Sequence, residues 1–161
     1  MAERIRDLVK DPAHQIDPRS EALLYAAARA QLAAEALEPL LGSGRWILLD
    51  RFVDSSLAYQ GGGRNLGIEQ VLAINDFATR GLRPDRTLFL DVEPHLGRSR
   101  AQARNEPVDR LEAERDDFFE RVHAAYLELT EHEPDRIRRI DGGAPPDQVL
   151  ESALDALADL L

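Results

Sequence analysis

Residues 50–67 read Asp-Arg-Phe-Val-Asp-Ser-Ser-Leu-Ala-Tyr-Gln-Gly-Gly-Gly-Arg-Asn-Leu-Gly and follow directly on the apolar run Trp46-Ile47-Leu48-Leu49. A short continuous apolar run is the pattern of a strand covered on both faces. Residues 45–49 are therefore expected to form a buried strand with Asp50-Arg51 at its carboxyl end, where open α/β folds place their ligands. An Asp there suits a divalent cation, and an Arg suits a phosphoryl group. The same dipeptide also suits an ordinary ion pair at a strand end. Gly61-Gly62-Gly63 permits close backbone approach, or simply a flexible turn. Tyr59 fits either stacking on a sugar or base, or anchoring of the loop.

Outward from this block, helices alternate with apolar runs. Residues 1–10 form one amphipathic helix, with Ile5, Leu8 and Val9 on a face, stopped by Asp11-Pro12. Asp17 caps the next helix, with Pro18 in its first turn. It runs to about Leu41, kinked near Pro39 and closed by Gly42. A helix from about Ile68 to Thr79 follows the glycines and ends at Gly81. Thr87–Val92 is a second buried strand, and Pro94–Arg104 a basic helix. Asp109-x-x-Glu112 resembles a capping box opening a long helix to about Glu131, with Phe119, Val122, Tyr126 and Leu129 on one face. Arg136–Ile140 is a third, weaker strand, and Asp147–Leu161 a last amphipathic helix. Strands alternating with helices imply an α/β fold with a parallel sheet.

Composition narrows the function classes. The 161 residues suffice for one domain, and 43% hydrophobic residues support a packed core. Cysteine is absent, which excludes disulfides and thiolate metal sites. The formal net charge of −10 disfavours a nucleic-acid partner. No apolar run is long enough to span a bilayer, so the expectation is a cytoplasmic protein with no membrane partner. His14, His95, His123 and His132 lack metal-ligand spacing.

The block at 50–67 closely resembles the central signature of thymidylate kinases, which phosphorylate dTMP to dTDP with ATP. Bacterial members carry Asp-Arg-Tyr or a variant, a Ser/Thr-rich turn, then Ala-Tyr-Gln-Gly; here stand Asp50-Arg51-Phe52, Ser55-Ser56 and Ala58-Tyr59-Gln60-Gly61. Phe52 departs from the commoner Tyr and reads as packing. Glu21–Arg29 resembles the family helix with an aromatic and an arginine four residues apart, a spacing that puts Tyr25 and Arg29 on one helical face. Periodicity alone makes Tyr25 a core residue and Arg29 a surface one. The resemblance implies instead that Tyr25 stacks on thymine and Arg29 bonds its polar edge, with Ser56, Tyr59 and Gln60 also holding dTMP. It further implies Arg51, Arg100 and Arg104 as catalytic arginines, Asp50 as organiser of Mg²⁺, ATP as co-substrate, and a homodimer formed by helix packing. Residues of about 98–112 resemble the family's lid, in which Gln102 replaces a frequent arginine and Asp109-Arg110 with Glu112 matches the end. Read singly, each of these arginines is equally well a solvated helix face.

One family element is not found. Lys10 is the only lysine, and no glycine precedes Gly42. No Gly-rich phosphate loop with its lysine can therefore be drawn. The expected fold is a P-loop NTPase-like parallel sheet flanked by helices, missing its first β-α-β portion of about 30 residues or more, with residues 1–161 as a single domain. A late-assigned gene start is the expected origin; a fragment and a genuine truncation are the others. As written, the chain is expected to be inactive, and the alternative is a non-catalytic nucleotide-binding or dimerising fragment.

Overall fold

The computed structural model describes residues 1–103 and 109–161, with Gln102 described by its backbone alone. Arg104 and the centre of the 98–112 segment lie outside the described residues. The chain begins with α1 (Ala2–Lys10), which packs on α2 (Pro18–Leu32). The Asp17 carboxylate caps α2 by accepting from the backbone N–H of Arg19 at 2.9 Å, and Pro18 occupies the first turn. α2 continues without a break through a π-helical stretch, Ala33–Leu37, into α3 (Glu38–Gly42). The irregularity thus falls just before Pro39. Proline has no N–H and its ring crowds the preceding turn, and the wider turn, in which Glu38 N–H donates to Ala33 O, absorbs that conflict.

The expected strand at 45–49 does not form. The segment is extended and unpaired, with Trp46 72% and Leu48 95% exposed. A strand needs a ladder partner, and no strand lies alongside it among the described residues. The sheet consists of β1 (Thr87–Asp91) and β2 (Ile137–Asp141), parallel, in a register from Thr87 opposite Ile137 to Asp91 opposite Asp141. β1 is only half-buried rather than covered on both faces. The parallel pairing agrees with the alternation seen in the sequence.

The glycine block also differs from expectation, for it is helical. α4 (Val53–Ser56) runs straight into a π-helical stretch, Leu57–Gly63. A Cβ at Gly62 would stand 2.5 Å from the Ala125 Cβ, and one at Gly63 would stand 2.6 Å from the Phe118 ring. These glycines let two helices approach at backbone distance. Of the two uses open to them, close backbone approach is the one the structure shows, and the loose turn is not.

α5 (Ile68–Thr79) follows as expected and closes on Arg80, in the left-handed region at φ 54°. α6 (Pro94–Ala103) carries the basic face. The capping box forms: Asp109 Oδ1 accepts from the N–H groups of Leu111 and Glu112, and Asp109 N–H donates to Glu112 Oε2. It closes a turn, however, and the long helix α7 starts only at Asp116 and ends at His132. The turn is held to α1 instead, through Arg110 N–H to Lys10 O at 3.0 Å. The buried stripe of α7 is Phe118, Val122, Ala125 and Leu129; Phe119 and Tyr126 sit at its rim. α8 (Pro146–Asp155) buries no side chain fully.

Two apolar clusters make the core. One gathers Leu37, Phe52, Val53, Leu57, Val71, Leu129 and Ile137, and the other Ala58, Leu111, Phe118, Val122 and Ala125. The helix 53–63 contributes to both and is the axle of the molecule. No described helix is long and apolar enough to cross a membrane.

Candidate active site

The axle helix aims polar side chains at α2. Arg51 precedes it in the left-handed region, at φ 67°, which costs a non-glycine residue about 1–2 kcal/mol. Burial of Phe52 and Val53 directly afterwards holds the backbone there. The Arg51 guanidinium lies 4.9 Å from the centroid of the Tyr59 ring, a cation–π contact. Backbone strain fixed by surrounding packing is characteristic of functional positions.

Arg29 comes from α2, one helical turn after Tyr25, and its guanidinium lies 5.9 Å from the Tyr25 ring. Its Nη1 donates to Ser56 Oγ at 2.8 Å and to Asn75 Oδ1 at 3.1 Å. Both partners are neutral and buried. Among the described residues no carboxylate pairs with Arg29. Burial pulls its pKa down to about 10, so it remains a cation at neutral pH. Withdrawing a cation from water without a counter-ion is expensive.

Glu21, four residues before Tyr25, is the best-connected carboxylate of the group. It is 0% exposed and accepts from Gln60 Nε2 at 2.8 Å, Arg64 Nη2 at 3.0 Å and Arg110 Nη2 at 2.5 Å. Burial alone would raise its pKa, but the hydrogen bonds from Arg64, Gln60 and Arg110 prevail and hold it below the ordinary 4.5. Arg64 also pairs with Glu114 and lies 4.8 Å over the Phe118 ring. Arg110 Nε donates to Val9 O. Gln60 has therefore committed an amide hydrogen to Glu21 and keeps its carbonyl as an acceptor.

A second clamp ties the axle to the sheet. Arg136 grips Asp54 with two hydrogen bonds of 2.8 Å, and Thr87 Oγ1 donates to Asp54 at 2.7 Å. Tyr126 donates to Ser55 Oγ at 2.9 Å, and burial pushes its phenol up to about 12. At the carboxyl end of β1, Asp91 meets His123 Nε2 at 2.6 Å and Arg139 Nε at 2.7 Å.

Tyr25, Arg29, Ser56, Tyr59, Gln60 and Arg51 are thus assembled around α2 and the axle. Asp50 is exposed beside them and has no hydrogen bond or ion pair among the described residues. Arg100 is not drawn into the group: its Nη1 donates to Gly142 O, in the loop after β2, at 2.9 Å. No group of three or more metal-ligating side chains occurs among the described residues. Nothing local in the sequence points to Glu21, Asn75 or Asp54, and periodicity makes Tyr126 a packing residue only. An acid in the first turn of a helix is normally solvated, and nothing in the spacing of Glu21 announces that arginines from residues 64 and 110 will converge on it. Asn75 has no local signal at all, since it acts across 46 residues of sequence.

The family model described as Thymidylate kinase matches residues 1–153. A thymidylate kinase of Lactobacillus helveticus is 48% identical over 159 residues, covering 98% of this chain and 75% of that protein. One from Alkalilimnicola ehrlichii is 47% identical, covering 98% and 73% respectively. One from Enterococcus faecalis is 46% identical, covering 99% and 76%. With an α/β fold of the P-loop NTPase-like class and matches of this extent, the chain belongs to the thymidylate kinase family, nucleoside monophosphate kinases of nucleotide biosynthesis.

Proposed function

We propose that the group around α2 and the axle helix is the acceptor site for dTMP in ATP-dependent phosphoryl transfer giving dTDP. The observation that carries this reading is Arg29: a half-buried guanidinium held by Ser56 and Asn75, with no carboxylate partner among the described residues, one helical turn from an aromatic ring. Tyr25 stacks on the pyrimidine and Arg29 donates to its polar edge. Ser56, Tyr59 and Gln60 complete the pocket, Gln60 as an acceptor. Arg51 grips the phosphate, pre-aimed by its strained backbone and the Tyr59 ring.

Transfer in such a site is positioning plus charge neutralisation along an in-line path. Arg51 serves the acceptor phosphate, with Arg100 and Arg104 as further cations. Arg100 must leave Gly142 O to take part. Asp50, exposed and without an ion pair among the described residues, fits a Mg²⁺ that keeps most of its ligands as water and phosphate oxygens. That ion would neutralise charge on the transferring group. A single domain over 1–161 with a lid at about 98–112, a homodimer, and a cytoplasmic location belong to the same reading.

The test is competition. Labelled dTMP bound to the 161-residue protein should be displaced by unlabelled dTMP, with dAMP at least about tenfold weaker. Equal displacement by dAMP would contradict the pyrimidine reading.

A further inference from the structure

We propose that Asn75 is a positioning residue for base recognition, setting the guanidinium plane of Arg29 without neutralising it. The inference rests on the dTMP reading and deepens it. Asn75 is 0% exposed, on the face of α5 that packs against α2. Its own amide is fixed, because Nδ2 donates to Val71 O at 2.8 Å. That bond leaves Oδ1 as the atom facing Arg29 and settles which way the amide points. Oδ1 accepts from Arg29 Nη1, the same nitrogen that donates to Ser56 Oγ. Thr79 Oγ1 in turn donates to the Asn75 carbonyl at 2.9 Å, bracing the helix one turn further on.

Two partners on one nitrogen, from two different helices, fix the guanidinium in position and rotation. Nε and Nη2 have no hydrogen bond among the described residues and keep their donors for a ligand. The chemistry of position 75 follows. A carboxylate there would lock the same geometry but form a buried ion pair, and so compete with the base for the cation. An apolar residue would leave Nη1 short of an acceptor in a buried site and free the side chain to choose other rotamers. An amide alone, anchored through its nitrogen, holds the cation and leaves its charge unspent. Ser56 cannot replace it, since a hydroxyl rotor fixes no plane.

The readout is equilibrium dialysis on the 161-residue protein with two probes, dTMP and 2-deoxyribose 5-phosphate, which lacks the base. Asn75→Ser and Asn75→Asp are each compared with wild type and with Arg29→Met, with the folded fraction followed by circular dichroism. Both Asn75 variants should weaken dTMP by about tenfold and leave the base-free phosphate within twofold. In the Arg29→Met background the Asn75 changes should add nothing to the loss of dTMP affinity. An Asn75 variant that stays folded and binds dTMP as wild type does, while Arg29→Met does not, overturns the inference alone. Equal weakening of both probes also overturns it, since that is what a general loss of structure produces. Failure of wild type to bind dTMP overturns the dTMP reading and this inference with it. Should one variant fail to fold, the other decides.

Discussion

Glu21 and Arg29 share one face of α2, two turns apart, and solve opposite problems. Glu21 is a buried anion over-supplied with cations, and Arg29 a half-buried cation whose partners among the described residues are neutral oxygens. Removing the Glu21 carboxylate leaves the Arg64 and Arg110 guanidinium groups, 14% and 12% exposed, facing each other. Glu21→Ala should therefore cost about 3 kcal/mol of stability, read from the urea midpoint. Glu21 also imposes a pH dependence. Its pKa is lowered on folding from 4.5, so the unfolded chain binds more protons in acid. Its contribution is full above the unfolded value and is lost as pH falls below about 4.5 toward the folded value. Midpoints measured from pH 6 to pH 3 should fall less steeply for Glu21→Gln than for wild type. An equal slope would remove Glu21 from the account.

At the scale of elements, the axle helix and α7 meet through Gly62 and Gly63. Gly62→Ala would drive its Cβ into that of Ala125, and the clash lies between two backbones rather than against a flexible tip. The expected cost is about 1–3 kcal/mol. Ala125→Gly should recover part of it, even though glycine within α7 costs about 1 kcal/mol by itself. A thermal-unfolding cycle that is simply additive would mean that the glycines serve something other than this approach. Element boundaries were largely legible in the sequence where caps and periodicity agree, as at Asp17-Pro18 and over Ile68–Thr79. The glycine helix was not, because three glycines carry no sign of the helix that packs on them. The capping box at Asp109–Glu112 was read correctly as a local device and wrongly as a helix start, since the bonds from Arg110 to α1 are long-range. Of the candidate site, the residues of the 50–67 block and the Tyr25/Arg29 pair stand out in the sequence through the family resemblance, the pair's spacing adding only that the two share a helical face. Glu21 and Asn75 do not, because their roles exist only once distant helices touch.

The whole molecule leaves apolar surface open around its sheet. Trp46, Leu48 and Leu90 are more than half exposed, beside an unpaired extended segment and a two-stranded sheet. Trp46 and Leu48 have the strand pattern but, among the described residues, no partner that makes such a pattern a strand. Exposed apolar edges of this kind promote association, so the 161-residue protein should self-associate less when Leu48 is replaced by Lys, as seen by light scattering. The same 161 residues offer no lysine-bearing phosphate loop, and a coupled assay with ATP, Mg²⁺ and dTMP should show no ADP release. The proposed role for the group around Arg29, held by Ser56 and Asn75, is that of an acceptor site for dTMP. Calorimetric titration of the purified 161-residue protein with dTMP tests that claim most directly. Saturable binding at one dTMP per chain, lost on replacing Arg29 by alanine, is the predicted result; the absence of saturable heat, or heat unchanged by that replacement, would contradict it.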